Sequence, residues 1–195
     1  LNWKHQETTR IFFQVQDAQA SNVAGGIRAF MTVLGAGYTW NDSRSTRLAF
    51  EWAHASGDDN NADNKRETFD NLYPTNHLHY GFMDRVSLQN IDNYRLQLSA
   101  KPQSNLKVQL DYHFFYLDTV NDSLYAANRA AIRTAATTGV SDHVGNEIDL
   151  LLKYKANANL SYLAGYSRFS AGDFLKNTGS GDDGDYFYIQ TTLKL

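Results

Sequence analysis

The sequence contains no cysteine and only two prolines in 195 residues. Without cysteine the chain can form neither disulfide bonds nor thiolate metal sites. No apolar run approaches the roughly 18 residues that a membrane-spanning helix requires, and the mean hydropathy is -0.51. These absences do not exclude a transmembrane β-barrel, because alternating strands average to a polar composition.

Neither sign of charge predominates, since the net charge is -3 and the isoelectric point is near 6.0. A nucleic-acid-binding domain would carry a basic surface, so no nucleic-acid partner is expected. The nucleophile motif Gly-x-Ser-x-Gly does not occur, and the sequence predicts no enzyme. No cofactor is implied. No signal-peptide pattern stands at Leu1, which favours a mature product or a fragment.

What the chain does contain is alternation, most clearly in Leu106–Tyr116. Because a β-strand places successive side chains on opposite faces, this segment predicts a strand with one apolar and one polar face. Its polar positions are Lys107, Gln109, Asp111 and His113, and its apolar ones are Leu106, Val108, Leu110, Tyr112, Phe114 and Tyr116. With the other alternating segments it predicts eight antiparallel strands, at residues 9–17, 26–40, 44–56, 89–100, 106–116, 146–155, 160–168 and 185–195.

The predicted connections alternate between short turns and long polar loops. Short turns occupy residues 41–43, 101–104 and 156–159, and long loops occupy residues 57–86, 118–144 and 172–184. An Ala-rich piece of the second long loop, residues 122–136, predicts a short helix with Asp122 as its N-cap and Gly139 beyond its end. The last strand is apolar at Phe187, Ile189, Leu193 and Leu195. This organisation is typical of an up-and-down outer-membrane β-barrel with short periplasmic turns and long extracellular loops.

One loop segment carries a family resemblance. Residues 68–84 read Thr-Phe-Asp-Asn-Leu-Tyr-Pro-Thr-Asn-His-Leu-His-Tyr-Gly-Phe-Met-Asp, and with residues 55–58, 145–150 and 165–169 they resemble the alginate-export family of outer-membrane β-barrels. The resemblance covers most of the chain from about residue 24 onward. The residues of the loop motif are Phe69, Asp70, Tyr73, Pro74, Asn76, His77, Tyr80, Gly81 and Asp84.

The resemblance implies a channel in the outer membrane of a Gram-negative bacterium, with the chain as the C-terminal part of a larger barrel. A missing N-terminal half of the same barrel is then a partner, as is outer-membrane lipid. The archetype of the family exports an anionic polysaccharide through an arginine-rich pore. The implied solute is therefore polar or anionic, an acidic polysaccharide such as alginate among the candidates.

The polar faces supply the candidate pore-lining residues. The basic candidates are Arg28, Arg47, Arg95, Lys107, Lys153, Lys155 and Lys194, and the acidic ones are Glu51, Asp111, Glu147 and Asp149. Seven basic against four acidic side chains indicate a mild preference for anions, because rings of basic side chains favour anions in pores. Alternatively, these charges pair across strands and fill a polar interior. By position, Arg95 and Arg47 are the best candidates for selectivity.

Two loop clusters offer metal ligands. The first long loop begins with an Asp/Asn-rich run in which Asp58, Asp59 and Asp63 provide the hard oxygen ligands that calcium prefers. The run lacks the EF-hand spacing, and such loops are commonly only solvated. His77 and His79 would share a face on a strand, but without a third ligand a packing role within the loop is favoured.

Strand number separates the two functions left open by the sequence. Eight strands alone would enclose a barrel filled by side chains, which predicts a closed structural or adhesive protein without transport. A chain that needs further strands would close around a wider lumen and conduct. The sequence favours a single barrel domain over residues 1–195, or the C-terminal part of one, that passes a polar or anionic solute passively.

Overall fold

The computed structural model describes residues 10–16, 26–72, 77, 79–134 and 140–194. Eight strands form one antiparallel sheet, and their order across the sheet is their order along the chain. These strands are β1 (Arg10–Gln16), β2 (Ala29–Thr39), β3 (Arg47–Ala55), β4 (Ile91–Gln103), β5 (Leu106–Tyr116), β8 (His143–Lys155), β9 (Leu160–Ala171) and β10 (Gly184–Leu193). The long loop between β5 and β8 holds a small hairpin of β6 (Leu124–Tyr125) and β7 (Ala131–Arg133).

This architecture confirms the prediction of an all-β, up-and-down antiparallel fold. The strand Leu106–Tyr116 has the predicted bounds, and its neighbours β4 and β8 are longer than predicted. Within the described residues β1 and β10 are not paired with each other, so each has one unpaired edge. No helix in that part of the chain is long and apolar enough to cross a membrane.

One face of the sheet is apolar and exposed. Cross-strand pairing aligns Leu48, Leu98 and Leu110 on this face, and all three side chains are largely exposed. The same face carries exposed Phe50, Leu96, Leu150, Leu152, Phe187, Ile189 and Leu193. A patch of this breadth marks a surface that contacts lipid or another apolar partner.

The hydrophobic core lies on the opposite, polar face, at the end of the sheet where the long loops are. Ala53, Ile91 and Phe115 project from the strands and pack against Phe69 and Tyr80 of the first long loop. The remaining members of this cluster include Val86, Leu88, Leu124, Val144, Phe169, Phe174 and Leu175. The long loops therefore fold back over the polar face and shield it from water at that end of the sheet.

One local prediction was wrong. Residues 122–134 of the predicted helix form the β6–β7 hairpin, because the buried carboxylate of Asp122 binds tertiary partners instead of capping a helix. It accepts hydrogen bonds from Thr68 Oγ1 at 2.6 Å and from Tyr125 OH at 2.8 Å. Conversely, a short helix α1, Asp173–Thr178, forms in the loop at 172–184, since Phe174 and Leu175 are buried in the core.

Candidate pore-lining face

The predicted acidic residues lie in two adjacent rows across the polar face. Strand pairing places Glu51, Arg95, His113 and Glu147 side by side in the first row. The second row, one step nearer to the short turns, runs through Ala49, Gln97, Asp111, Asp149 and Ser167. All four acidic candidates therefore lie in two adjacent rows in the middle of the face.

Glu51 ties the first long loop to the strands. Its Oε2 accepts a hydrogen bond from Arg95 Nη2 at 2.9 Å, and its Oε1 lies 3.0 Å from His79 Nδ1. Asn93 Nδ2 donates to the carbonyl oxygen of His79 at 2.5 Å. Arg95, one of the two best selectivity candidates, is thus ion-paired, as the alternative of pairing across strands anticipates.

Glu147 and Asp149 are completely buried. The backbone amide of Met83 donates to Glu147 Oε1 at 2.9 Å.

Asn93 Oδ1 lies 3.2 Å from His113 Nδ1, and since the Asn93 amide nitrogen is already used as a donor, His113 Nδ1 carries the proton. His113 Nε2 then faces Asp149 Oδ2 at 3.5 Å. In the second row, the side-chain amides of Gln97 and Gln109 both donate to Asp111, at 2.9 and 2.6 Å.

A short part of the loop motif, residues 79–84, lies directly on this wall and is called the docked segment. Gly81 adopts a positive φ of 81°, and a Cβ atom there would lie 2.3 Å from Glu147 Oε1. Phe82 stacks on Tyr188 of β10 at 5.4 Å between ring centroids. Burial, with a smaller effect of Asp84, raises the pKa of Tyr80 to about 12. The docked segment thus needs glycine at one position and spans the wall from β3 to β10.

The other described residues of the loop motif hold the loop together. Phe69 is buried in the core. Asp70 accepts from Arg129 Nη1 at 3.3 Å. His77 Nδ1 lies 3.1 Å from Asp84 Oδ1, so His77 and His79 contact different carboxylates. Tyr73, Pro74 and Asn76 lie outside the described residues.

The basic candidates lie mainly toward the short turns. Lys107 Nζ donates to Gln109 Oε1 at 2.9 Å, and Lys153, Lys155 and Lys194 are exposed or lie at the strand ends. Arg47 Nη1 donates to Thr39 Oγ1 at 3.0 Å. In the part of the chain that the structure describes, none of these five side chains forms an ion pair.

Arg47 also borders a cleft on the polar face. The cleft has a volume of about 350 Å³, and Glu51, Arg95 and Gln97 are among the residues that line it. Arg28, predicted on the wall, instead precedes β2, and its amide donates to the carbonyl oxygen of Arg66 at 2.9 Å. The strand predicted at residues 26–40 therefore began three residues too early, and a lumen-facing role for Arg28 stays a prediction.

The Asp/Asn-rich loop brings together a different set of oxygens from the predicted one. Asp58 and Asp59 lie close to Glu67, whereas Asp63 is 2.5 Å from Lys65 Nζ. Sequence spacing could not reveal Glu67, because its approach depends on the fold of the whole loop. Calcium binding at Asp58 and Asp59 stays a prediction.

A family model described as Alginate export matches residues 5–188, which is nearly the whole chain. In a search of proteins with curated functions, no match was found.

Proposed function

We propose that this chain, which belongs to the alginate-export family, forms part of the wall of an outer-membrane channel for a polar, anionic solute. An acidic polysaccharide of the alginate type is the solute class that the family suggests. The exposed apolar face would contact lipid, and the polar face would line the lumen, as in transmembrane barrels generally. Within the described residues β1 and β10 each have an unpaired edge, which supports closure by further strands into a wider barrel.

The observation that carries this proposal is the separation of charge along the polar face. All four acidic candidates are buried or hydrogen-bonded in the middle of the face. Arg47, Lys107, Lys153 and Lys155 lie nearer to the short turns, outside any described ion pair. A mobile anion entering from the short-turn end would therefore meet uncompensated positive charge first, which lowers the barrier to its entry.

Passage would be passive, with selectivity set by pore width and lumen charge. The docked segment lies against the wall where Glu51 and Glu147 bind it, so it would narrow the lumen at that level. Hydroxyl-rich and carboxylate-bearing sugars suit such a passage, because polar side chains can replace part of their hydration as they move. We propose no catalytic role.

Single-channel recording in planar bilayers under a salt gradient tests this function. The triple variant Lys107→Gln, Lys153→Gln and Lys155→Gln should lower the ratio of anion to cation permeability by about twofold or more. Lys65→Gln is the matched control, because Lys65 lies in an exposed loop and pairs with Asp63. Its reversal potential should equal that of the unaltered protein.

Two outcomes would contradict the proposal. A cation preference in the unaltered channel would show that the basic side chains do not govern selectivity. Absence of any conductance from well-folded protein would favour the second candidate, a closed barrel without transport. That candidate has one observation in its favour, since Phe69, Tyr80 and Phe174 belong to a hydrophobic core that covers part of the polar face.

A further inference from the structure

Polar side chains interrupt the apolar face of the sheet at its long-loop end. His54 pairs in register with Asp92, and both lie on the face that carries Leu48 and Phe50. His54 is 91% buried between the rings of Phe30 and Trp52, whose centroids lie 5.0 and 5.6 Å from its own. Ionisable groups on a lipid-facing surface are costly. Their presence here calls for a compensating partner.

A third group reaches the same place from a different part of the chain. Asp118 follows β5 and brings its Oδ1 to 3.9 Å from His54 Nδ1, while Asp92 Oδ1 lies 3.1 Å from that nitrogen. One donor atom from each of the three residues lies within 4.8 Å of the other two. The three elements therefore converge on one point with one imidazole nitrogen and two carboxylate oxygens.

We propose that His54, Asp92 and Asp118 form a binding site for a zinc-type divalent transition-metal ion. Tetrahedral zinc with bonds of about 2.0–2.1 Å holds its donor atoms roughly 3.3–3.4 Å apart. The two separations from His54 Nδ1, 3.1 and 3.9 Å, bracket this value. Three protein ligands leave one coordination position open.

Groups outside the cluster orient both carboxylates. Trp52 Nε1 donates to Asp92 Oδ1 at 2.7 Å, and the amide of Gly57 donates to Asp118 Oδ2 at 2.9 Å. The Gly57 bond leaves Asp118 Oδ1 directed toward His54. Such outer contacts fix ligand orientation in metal sites.

Charge balance favours a dication over a simple ion pair. Two carboxylates and a protonated imidazole leave one negative charge at the edge of an apolar face, whereas a neutral imidazole with a dication leaves none. The nitrogen ligand selects a borderline metal over calcium, which prefers oxygen donors alone. The second described cluster, Asp58, Asp59 and Glu67, has only oxygen donors and does not fit this metal.

Zinc titration of the folded protein in detergent, with a chelating indicator as competitor, tests the site. The unaltered protein should bind one zinc ion, and Asp118→Asn should weaken binding by at least about tenfold. Trp52→Phe keeps all three ligands but removes one orienting bond, so it should weaken zinc binding to a smaller extent. Asp59→Asn, in the neighbouring oxygen-only cluster, is the matched control and should bind zinc like the unaltered protein.

X-ray absorption of the bound zinc supplies a second readout that does not depend on any variant folding. One imidazole nitrogen with oxygen neighbours is the expected coordination. The proposal is overturned if the unaltered protein takes up no zinc saturably, if Asp118→Asn binds as tightly as the unaltered protein, or if the spectrum lacks an imidazole ligand. If the unaltered protein takes up no zinc, His54 pairs with Asp92 and Asp118 without a metal ion.

Discussion

The middle of the polar face and its short-turn end satisfy their polar groups in opposite ways. In the middle, Glu147 and His113 are buried and bound by neighbours in the wall and by the docked segment. Near the short turns, Lys153 and Lys155 are exposed and outside any described ion pair. The same strand, β8, supplies both Glu147 and Lys153. Strand alternation therefore sets which face is polar, but the loops decide which part of that face is open to solvent.

The difference has an energetic cause. A buried carboxylate is costly unless it is hydrogen-bonded or neutralised, and the docked segment provides such a bond from the backbone amide of Met83 to Glu147. An exposed lysine keeps its hydration and needs no partner. Displacing the docked segment should expose the middle of the face to solvent, as the short-turn end already is. Strengthening its contacts should keep the middle more fully buried. The following substitutions act on this balance.

Gly81→Ala should have the largest effect. The positive φ at Gly81 and the 2.3 Å approach of its would-be Cβ to Glu147 Oε1 leave no room for a methyl group. Strain together with the loss of the Met83 bond should cost on the order of 3 kcal/mol of docking free energy. Proteolysis within residues 56–90 should accelerate, and single-channel conductance should rise.

Gly26→Ala is the matched control for that substitution, because a Cβ atom at Gly26 would meet nothing within 4 Å. It should leave both the cleavage rate and the conductance unchanged. If Gly81→Ala matches this control in both assays, the docked segment does not close the wall.

Glu51→Gln should have an intermediate effect. The amide cannot form an ion pair with Arg95, and it weakens the contact with His79 at the start of the docked segment. Since Glu51 and Arg95 are each 17% exposed at the side chain, we expect a loss of about 2 kcal/mol in the free energy of unfolding. Urea-induced unfolding in detergent measures it.

Asp63→Asn removes an exposed ion pair with Lys65 and is the control for Glu51→Gln. Its urea midpoint should not move, because solvent screens such pairs. Equal midpoints for Glu51→Gln and Asp63→Asn would mean that the wall contact contributes nothing to stability.

Sequence reasoning recovered the sheet more completely than the site. Period-two alternation was enough for Leu106–Tyr116, whose bounds were predicted correctly, because alternation depends only on local strand geometry. It could not show that Glu51 binds His79, residues 28 positions apart. Asp122 illustrates the same limit, since its buried contact with Thr68 replaced the helix cap that local sequence favoured.

Two residues of the proposed zinc site interrupt the alternating pattern, but the pattern alone does not show that they lie together. His54 and Asp92 break the apolar pattern of β3 and β4 at positions that strand pairing makes adjacent. Each residue alone looks like an isolated polar exception. Only the register joins them, and only the path of the chain after β5 adds Asp118.

The smallest expected effect comes from Tyr80→Phe, and it tests whether the closed end is as dry as its packing indicates. Tyr80 OH is buried without a hydrogen-bond partner among the described residues, so its removal should be neutral or slightly stabilising at pH 7. Tyr125→Phe is the matched comparison: burial and the bond to Asp122 also raise the pKa of Tyr125 to about 12. Its hydroxyl, however, donates to Asp122 at 2.8 Å, so removal should cost about 1 kcal/mol.

Alkaline unfolding tests the burial of Tyr80 directly. A phenol that titrates near 10 when unfolded and near 12 when folded leaves the free energy of unfolding independent of pH below pH 10 and lowers it as the pH rises from 10 to 12. Tyr80→Phe should remove that part of the alkaline loss while leaving the curve below pH 10 nearly flat. Unfolding midpoints between pH 8 and about 12 measure it. An unchanged alkaline slope in Tyr80→Phe would mean that water reaches Tyr80, and that the loop end of the wall is open as well.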